Sequence, residues 1–260
     1  MSISRKLYFM GDAFCRFLFP NKCICCDDII SAKSHLCDNC LLAYQEEKKR
    51  SCPLCYKPIG ECACSFGYLK KEGVKHQYKA FGYLPGQRER VQNQLIYALK
   101  DAHLKSAAEF LAEEMEKTLQ FHEIDYHHLE IAYIPASKKR LREKGYDQMK
   151  MLARALSFRL HIPVAHVIYR AKQKTAPQKT LSRWKRWANA KGTYAIKPKA
   201  DVSGKSYLLI DDVVTTGSTL FSAMSALKDA GAKQVLILTA AETVTTRKVP
   251  KKYLIKHKQK

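Results

Sequence analysis

Eight cysteines in four short knuckles constrain the N-terminal quarter of this 260-residue chain more than any other feature. They read Cys23-x-x-Cys26, Cys37-x-x-Cys40, Cys52-x-x-Cys55 and Cys62-x-Cys64, and no cysteine lies beyond residue 64. A knuckle of this kind aims two thiolates at one centre, and Zn²⁺ takes four such ligands in a tetrahedron. Four knuckles therefore make two sites. They pair in sequence (23/26 with 37/40, 52/55 with 62/64) or interleave; spacing alone leaves both schemes open. Four protein thiolates per site leave no position free for catalysis, so the metal is structural. A redox pair of the thioredoxin type occurs singly at a βα junction. Here the knuckles lie among turn residues such as Asp27, Asn39, Pro53 and Pro58. The segment has few large apolar side chains, and zinc supplies what a small core cannot, on the order of 10 kcal/mol per site. Cys15 and Cys25 are left over, with Cys15 expected to pack in an N-terminal helix; His35 is a spare ligand beside Cys37.

Charge is concentrated elsewhere. The formal net charge is +22, and residues 131–200 hold 18 Lys and Arg against two acids, Glu143 and Asp147. The tail 246–260 adds seven basic residues and no acid, which leaves the rest of the chain near neutral. A basic segment on a neutral body suits a polyanion, either a nucleic acid or a phosphorylated metabolite. No stretch reaches the ~18 apolar residues of a membrane span. The first 19 residues place Asp12 and Arg16 in an otherwise apolar run with no small-residue cleavage site, so they predict an amphipathic helix and a cytoplasmic protein.

Beyond Cys64 strands and helices alternate. YKAFGYLPG (78–86), HLEIAYIPAS (128–137), VAHVIYR (164–170), KSYLLIDD (205–212) and KQVLILTAAET (233–243) read as strands. RERVQNQLIYALK, SAAEFLAEEMEKTL, QMKMLARALSFRL (148–160) and GSTLFSAMSALKDAGA (217–232) carry helical periodicity. Several strands are continuously apolar, which predicts an α/β fold with a parallel sheet covered by helices on both faces.

In such a sheet, ligands bind at the carboxyl ends of the strands. LLIDDVVTTGSTL (208–220) places Asp211 and Asp212 there, followed by a loop leading straight into a helix. The N–H groups of a helix start bind phosphate, and Gly217 lets backbone come close to the anion. Thr215, Thr216, Ser218 and Thr219 add hydroxyl donors. The adjacent carboxylates suit sugar hydroxyls, or a Mg²⁺ that shares them. A ribose 5-phosphate fits both halves. Gly204-Lys205-Ser206 resembles the end of a P-loop, but residue 199 is Lys where glycine is required and the triplet precedes a strand.

IDDVVTTGSTL closely resembles the phosphoribosyl-pyrophosphate (PRPP) motif of type I phosphoribosyltransferases. The knuckle module, then IPASKKRLREKGYDQMKMLA, then KTAPQKTLSRWKRWANAKGTYAI, is similar in order and content to the competence protein F family (ComFC and GntX relatives), over nearly the whole chain. Asp147 and Lys144 depart from the Asn and Arg of that family's pattern. The resemblance implies a type I phosphoribosyltransferase-like sheet at 75–245, a double zinc ribbon at 20–65, an N-terminal helix at 1–19 and a basic tail at 246–260. By resemblance, Asp211 and Asp212 are the catalytic pair contacting ribose, and residues 215–219 hold the 5-phosphate of PRPP with Mg²⁺. Lys138, Lys139, Arg140 and Arg142, in a loop after the strand IAYIPAS, meet pyrophosphate or DNA. Gln178 and Arg186 join them from a loop over the substrate. Trp184 and Trp187, set among Arg183, Lys185 and Arg186, either stack bases or form the apolar face of a helix.

Three functions follow as expectations. The resemblance implies DNA uptake in natural transformation, with single-stranded DNA on the basic surface and a helicase-like competence partner. The alternatives are an active transferase on an unidentified small acceptor, and a zinc-ribbon docking protein on a vestigial scaffold.

Overall fold

A computed structural model describes residues 20–52, 54–65, 69–70, 73–100, 104–171 and 192–244. The predicted N-terminal helix with Cys15, the residues Gln178, Trp184, Arg186 and Trp187, and the basic tail lie outside the described residues. Among the described residues no helix is long and apolar enough to cross a membrane.

In chain order the elements are α1 (Asp38–Lys48), β1 (Tyr78–Tyr83), α2 (Val91–Lys100), α3 (Leu104–Phe121), β2 (Glu130–Tyr133), α4 (Lys138–Lys144), α5 (Gln148–Leu160), β3 (Val164–Ala165), β4 (Ile168–Arg170), β5 (Tyr194–Ile196), β6 (Ser206–Val214), α6 (Ser218–Asp229) and β7 (Gln234–Thr243). Five strands form one wholly parallel sheet in the order β1-β7-β6-β2-β3. The expected single strand at 164–170 is instead two. β3 extends the main sheet, and after His166 the chain changes partner so that β4 pairs antiparallel with β5.

Successive residues of a strand face opposite sides of a sheet. Leu208 and Ile210 of β6 accordingly join one core with Leu95, Leu99, Leu111 and Leu156 from α2, α3 and α5. Tyr207 and Leu209 join the other, with Phe221, Met224 and Leu227 of α6. From β2 the chain returns through α5 to β3 on one side; from β6 it returns through α6 to β7 on the other. The crevice outside the carboxyl ends of β2 and β6 is thus the topological switch point, where ligands bind in open α/β sheets.

The cysteine-rich segment packs on this sheet through contacts its sequence does not advertise. Tyr44 of α1 is buried edge-on against Phe81 and Phe110, and its hydroxyl donates to Glu114 Oε2 at 2.6 Å. Glu47 accepts from the backbone N–H groups of Val91 and Gln92 at 3.3 and 3.0 Å, so the module supplies the carboxylate that caps α2. Contact with β1 is close: a Cβ on Gly82 would meet Ile59 Cδ1 and Val244 Cγ2 at 2.8 Å each.

Candidate functional site

The eight knuckle cysteines gather as Cys23, Cys26, Cys37 and Cys40 in one group and Cys52, Cys55, Cys62 and Cys64 in the other, each with its four sulfurs within 4.8 Å of one another. This is the sequential pairing. Sulfurs ~2.3 Å from a tetrahedral zinc sit a little under 4 Å apart, so both groups fit the metal. The second group also carries the outer shell that thiolates need. The Leu54 N–H points at Cys52 Sγ (3.4 Å) and the Cys64 N–H at Cys62 Sγ (3.3 Å). Cys25 turns away, its sulfur 3.9 Å from the Val91 carbonyl, and burial pushes its thiol up to about 12.

At the switch point β6 runs through the carboxylate pair and ends at Val214, two residues beyond the expected end. Alternation resolves the apparent clash of two adjacent acids. Asp212 shares the side of Leu208 and Ile210 and meets Lys100, the last residue of α2, at 3.2 Å. Its Oδ1 accepts from the Val213 N–H at 2.7 Å. Asp211 shares the side of Tyr207 and Leu209 and is buried, its Oδ1 accepting from the Asp212 N–H at 3.0 Å. Burial, and then the neighbouring Asp212 charge, hold the Asp211 carboxyl well above the usual carboxylate range. The pair therefore consists of one lysine-bound carboxylate and one buried carboxyl.

The loop after it encloses a recess of ≈ 80 Å³ lined by Asp211, Val213, Val214 and residues 215–220. Gly217 takes the N-cap position of α6 with φ 76°, and having no side chain it supplies no cap hydrogen bond. The first turn of α6 thus borders the recess, with the Ser218 N–H turned to Thr216 Oγ1 at 3.4 Å. A Cβ at Gly217 would lie 3.0 Å from Leu69 Cγ, so both the backbone twist and the close approach require glycine. Thr216 Oγ1 donates to Ser218 Oγ at 3.1 Å, and Thr215 pairs with Thr243, the last residue of β7, at 3.0 Å.

Lys138, Lys139, Arg140 and Arg142 lie not in a loop but on the seven-residue helix α4. Ser137 caps it, accepting from the Arg140 N–H at 3.2 Å, and Gly145 ends it in the left-handed conformation. The run KKRLREK hides this helix from apolar periodicity, since none of its residues is buried. Lys138, Lys139 and Arg142 are exposed and Arg140 is half-buried. Asp147 closes the turn: it accepts from Met149 N and Lys150 N (3.0 and 3.3 Å) at the start of α5 and from Ala136 N (3.1 Å) in the connection between β2 and α4. Two acceptor oxygens serve three backbone donors. This makes Asp sound at a position where the family pattern has Asn.

Two groups were invisible in the sequence. Lys100 has no motif around it. Lys79 of β1, fully buried, bonds Glu242 of β7 at 2.9 Å and donates to the Cys64 carbonyl at 2.5 Å, joining the second cysteine group to the strand end beside Thr243. Burial outweighs the Lys79 charge and lifts Glu242 to about 7.

The phosphoribosyl transferase domain model matches residues 150–259. The chain is 28% identical to competence protein ComFC of Streptococcus pneumoniae over 207 residues, covering 78% of this chain and 85% of that protein. It is 27% identical to competence protein F of Haemophilus influenzae over 238 residues, covering 84% and 96%. Against DNA utilization protein YhgH of Escherichia coli it is 30% identical over 114 residues, covering 44% and 49%.

Proposed function

We propose that this chain, a member of the competence protein F family, acts in DNA uptake by binding PRPP at the β2/β6 switch point and single-stranded DNA along its basic surface. Residues 75–245 form the binding domain in this reading and residues 20–65 a module held by two structural zinc ions. The observation that carries it is one juxtaposition: a carboxylate pair, a glycine-capped helix start and a basic helix all lie at or just beyond the carboxyl ends of the adjacent parallel strands β2 and β6. Asp211 and Asp212 take the ribose hydroxyls, and residues 215–219 take the 5-phosphate. Arg140, with Lys138, Lys139 and Arg142, meets pyrophosphate or the DNA backbone, which planar guanidinium groups engage bidentately.

The donor set also bears on Mg²⁺. Two carboxylates, one of them already on a lysine, do not form a cage. They suit an ion held mainly by substrate oxygens and water, the usual habit of Mg²⁺ beside phosphates. When bound, the ion would neutralise charge on the pyrophosphate. The protein's share is to orient the sugar on Asp211 and Asp212 and to fix the 5-phosphate on the α6 start.

Competence and DNA utilization names among the relatives favour a role with DNA, and the +22 charge exceeds what a small phosphorylated substrate needs. Titration calorimetry of the zinc-loaded protein with PRPP and Mg²⁺, with and without a short single-stranded oligonucleotide, tests both halves. Asp212→Asn is expected to abolish PRPP binding and leave DNA affinity nearly unchanged; equal losses would contradict separate sites. DNA affinity should fall with salt at a log–log slope of roughly 0.7 per phosphate contacted. A flat dependence removes DNA. Release of pyrophosphate in the same mixtures would identify a working transferase.

A further inference from the structure

α2 is a short rod with a partner at each end. Its N-terminus is capped by Glu47 of the zinc module, and its last residue, Lys100, reaches Asp212. Ten residues of helix span about 15 Å. Along that length Leu95, Ile96 and Leu99 are wholly buried, which fixes the rod on the sheet. Lys100 is tied down a second time, because its carbonyl accepts from Tyr146 Oη at 3.0 Å. Tyr146 precedes Asp147, the residue that ties the start of α5 to the connection between β2 and the basic helix α4. Among the described residues Lys100 is the one cation within salt-bridge distance of Asp212. The nearby Tyr83 is no substitute, since a phenol carries no positive charge in either protonation state and its hydroxyl pairs with that of Tyr97 at 2.9 Å.

We infer that Lys100 is a positioning residue of the carboxylate site: it acts through Asp212, orienting that carboxylate for the ribose hydroxyls, and α2 makes its placement depend on the zinc module. This rests on the phosphoribosyl reading of the site. It gives the module a second duty besides its own fold, because Glu47 sets one end of the helix whose other end fixes Asp212. Unlike a group that grips pyrophosphate directly, Lys100 affects only ligands that carry the sugar.

Binding of three probes to the zinc-loaded protein separates these roles: PRPP with Mg²⁺, ribose 5-phosphate, and inorganic pyrophosphate with Mg²⁺. In Lys100→Met, affinity for PRPP and for ribose 5-phosphate should each fall about tenfold, the scale of one charge-assisted contact, while pyrophosphate affinity stays unchanged. Lys100→Arg should restore most of the loss, and it remains informative if the methionine variant folds poorly. Glu47→Ala should weaken PRPP in the parent protein and add nothing in the Lys100→Met background. Parallel loss of pyrophosphate, or undiminished PRPP binding, overturns the role of Lys100. A Glu47 effect that persists without Lys100 overturns the route through α2. If the unmodified protein binds neither sugar-bearing probe, the phosphoribosyl reading fails and the role of Lys100 fails with it.

Discussion

Glu242→Gln isolates the titration of a buried acid that links the second cysteine group to the phosphate loop. Glu242 lies 2.9 Å from Lys79, yet burial leaves its folded pKa at about 7 against an ordinary 4.5. The folded protein therefore holds this proton more tightly than the unfolded chain. Its contribution to stability is full below pH 4.5 and is lost as pH rises through 7. Each pKa unit of difference is worth about 1.4 kcal/mol, so between pH 5.5 and 8 the loss from this group is about 2 kcal/mol. The glutamine keeps the shape and still accepts from Lys79, but it cannot titrate. Urea unfolding followed by circular dichroism, in zinc-replete buffer from pH 5.5 to 8, gives the difference between parent and variant at each pH. That difference should move against the parent by about 2 kcal/mol on going from pH 5.5 to 8. A flat difference, or one that moves the other way, would mean that Lys79 wins over burial and Glu242 is ionised throughout.

Three further outcomes are expected. Gly217→Ala places a Cβ 3.0 Å from Leu69 Cγ in a left-handed backbone and should cost about 1–2 kcal/mol in urea unfolding, with weaker binding of inorganic phosphate. Metal analysis by plasma emission should find two zinc ions per chain, and Cys62→Ser should lower the count to one while leaving the group at Cys23 occupied. Asp147→Ala strips the cap of α5 and the tie to Ala136 and should cost about 1–2 kcal/mol, whereas Asp147→Asn, which keeps one acceptor oxygen, should cost less than half of that.

The sequence makes local chemistry readable and hides distant partners. The knuckles name their ligands because each pair lies within a few residues, but only the fold chooses between sequential and interleaved pairing. LLIDDVVTTGSTL is readable as strand, loop and helix because the apolar run, the glycine and the hydroxyls all act within one turn of chain. The helix α4 was missed because its signal lies in caps, Ser137 and Gly145, while every residue between them is polar or exposed. Tyr44 gives no warning either: one aromatic in a polar run becomes a core residue only once Phe81 and Phe110 enclose it.

The carboxylate pair illustrates the same limit at the site itself. Adjacency in sequence predicts repulsion and hence a partner, but it does not say that strand alternation sends the two side chains to opposite sides of the sheet. Once separated, the two acids have different fates. Asp212 is met by a lysine carried in on a helix from the first half of the chain; Asp211 is enclosed, and burial raises its pKa. Among the described residues only one of the two acids has a cation within salt-bridge distance. A site built this way is uneven before any ligand arrives: one carboxylate is held on a lysine, and the other is buried. Two neighbouring hydroxyls of a ribose, each both donor and acceptor, can meet these two differently held groups, whereas the pair alone does not cage a metal ion. On the phosphoribosyl reading a ligand that brings its own Mg²⁺ suits this edge of the sheet, where Lys100 holds one acid and burial sets the other apart.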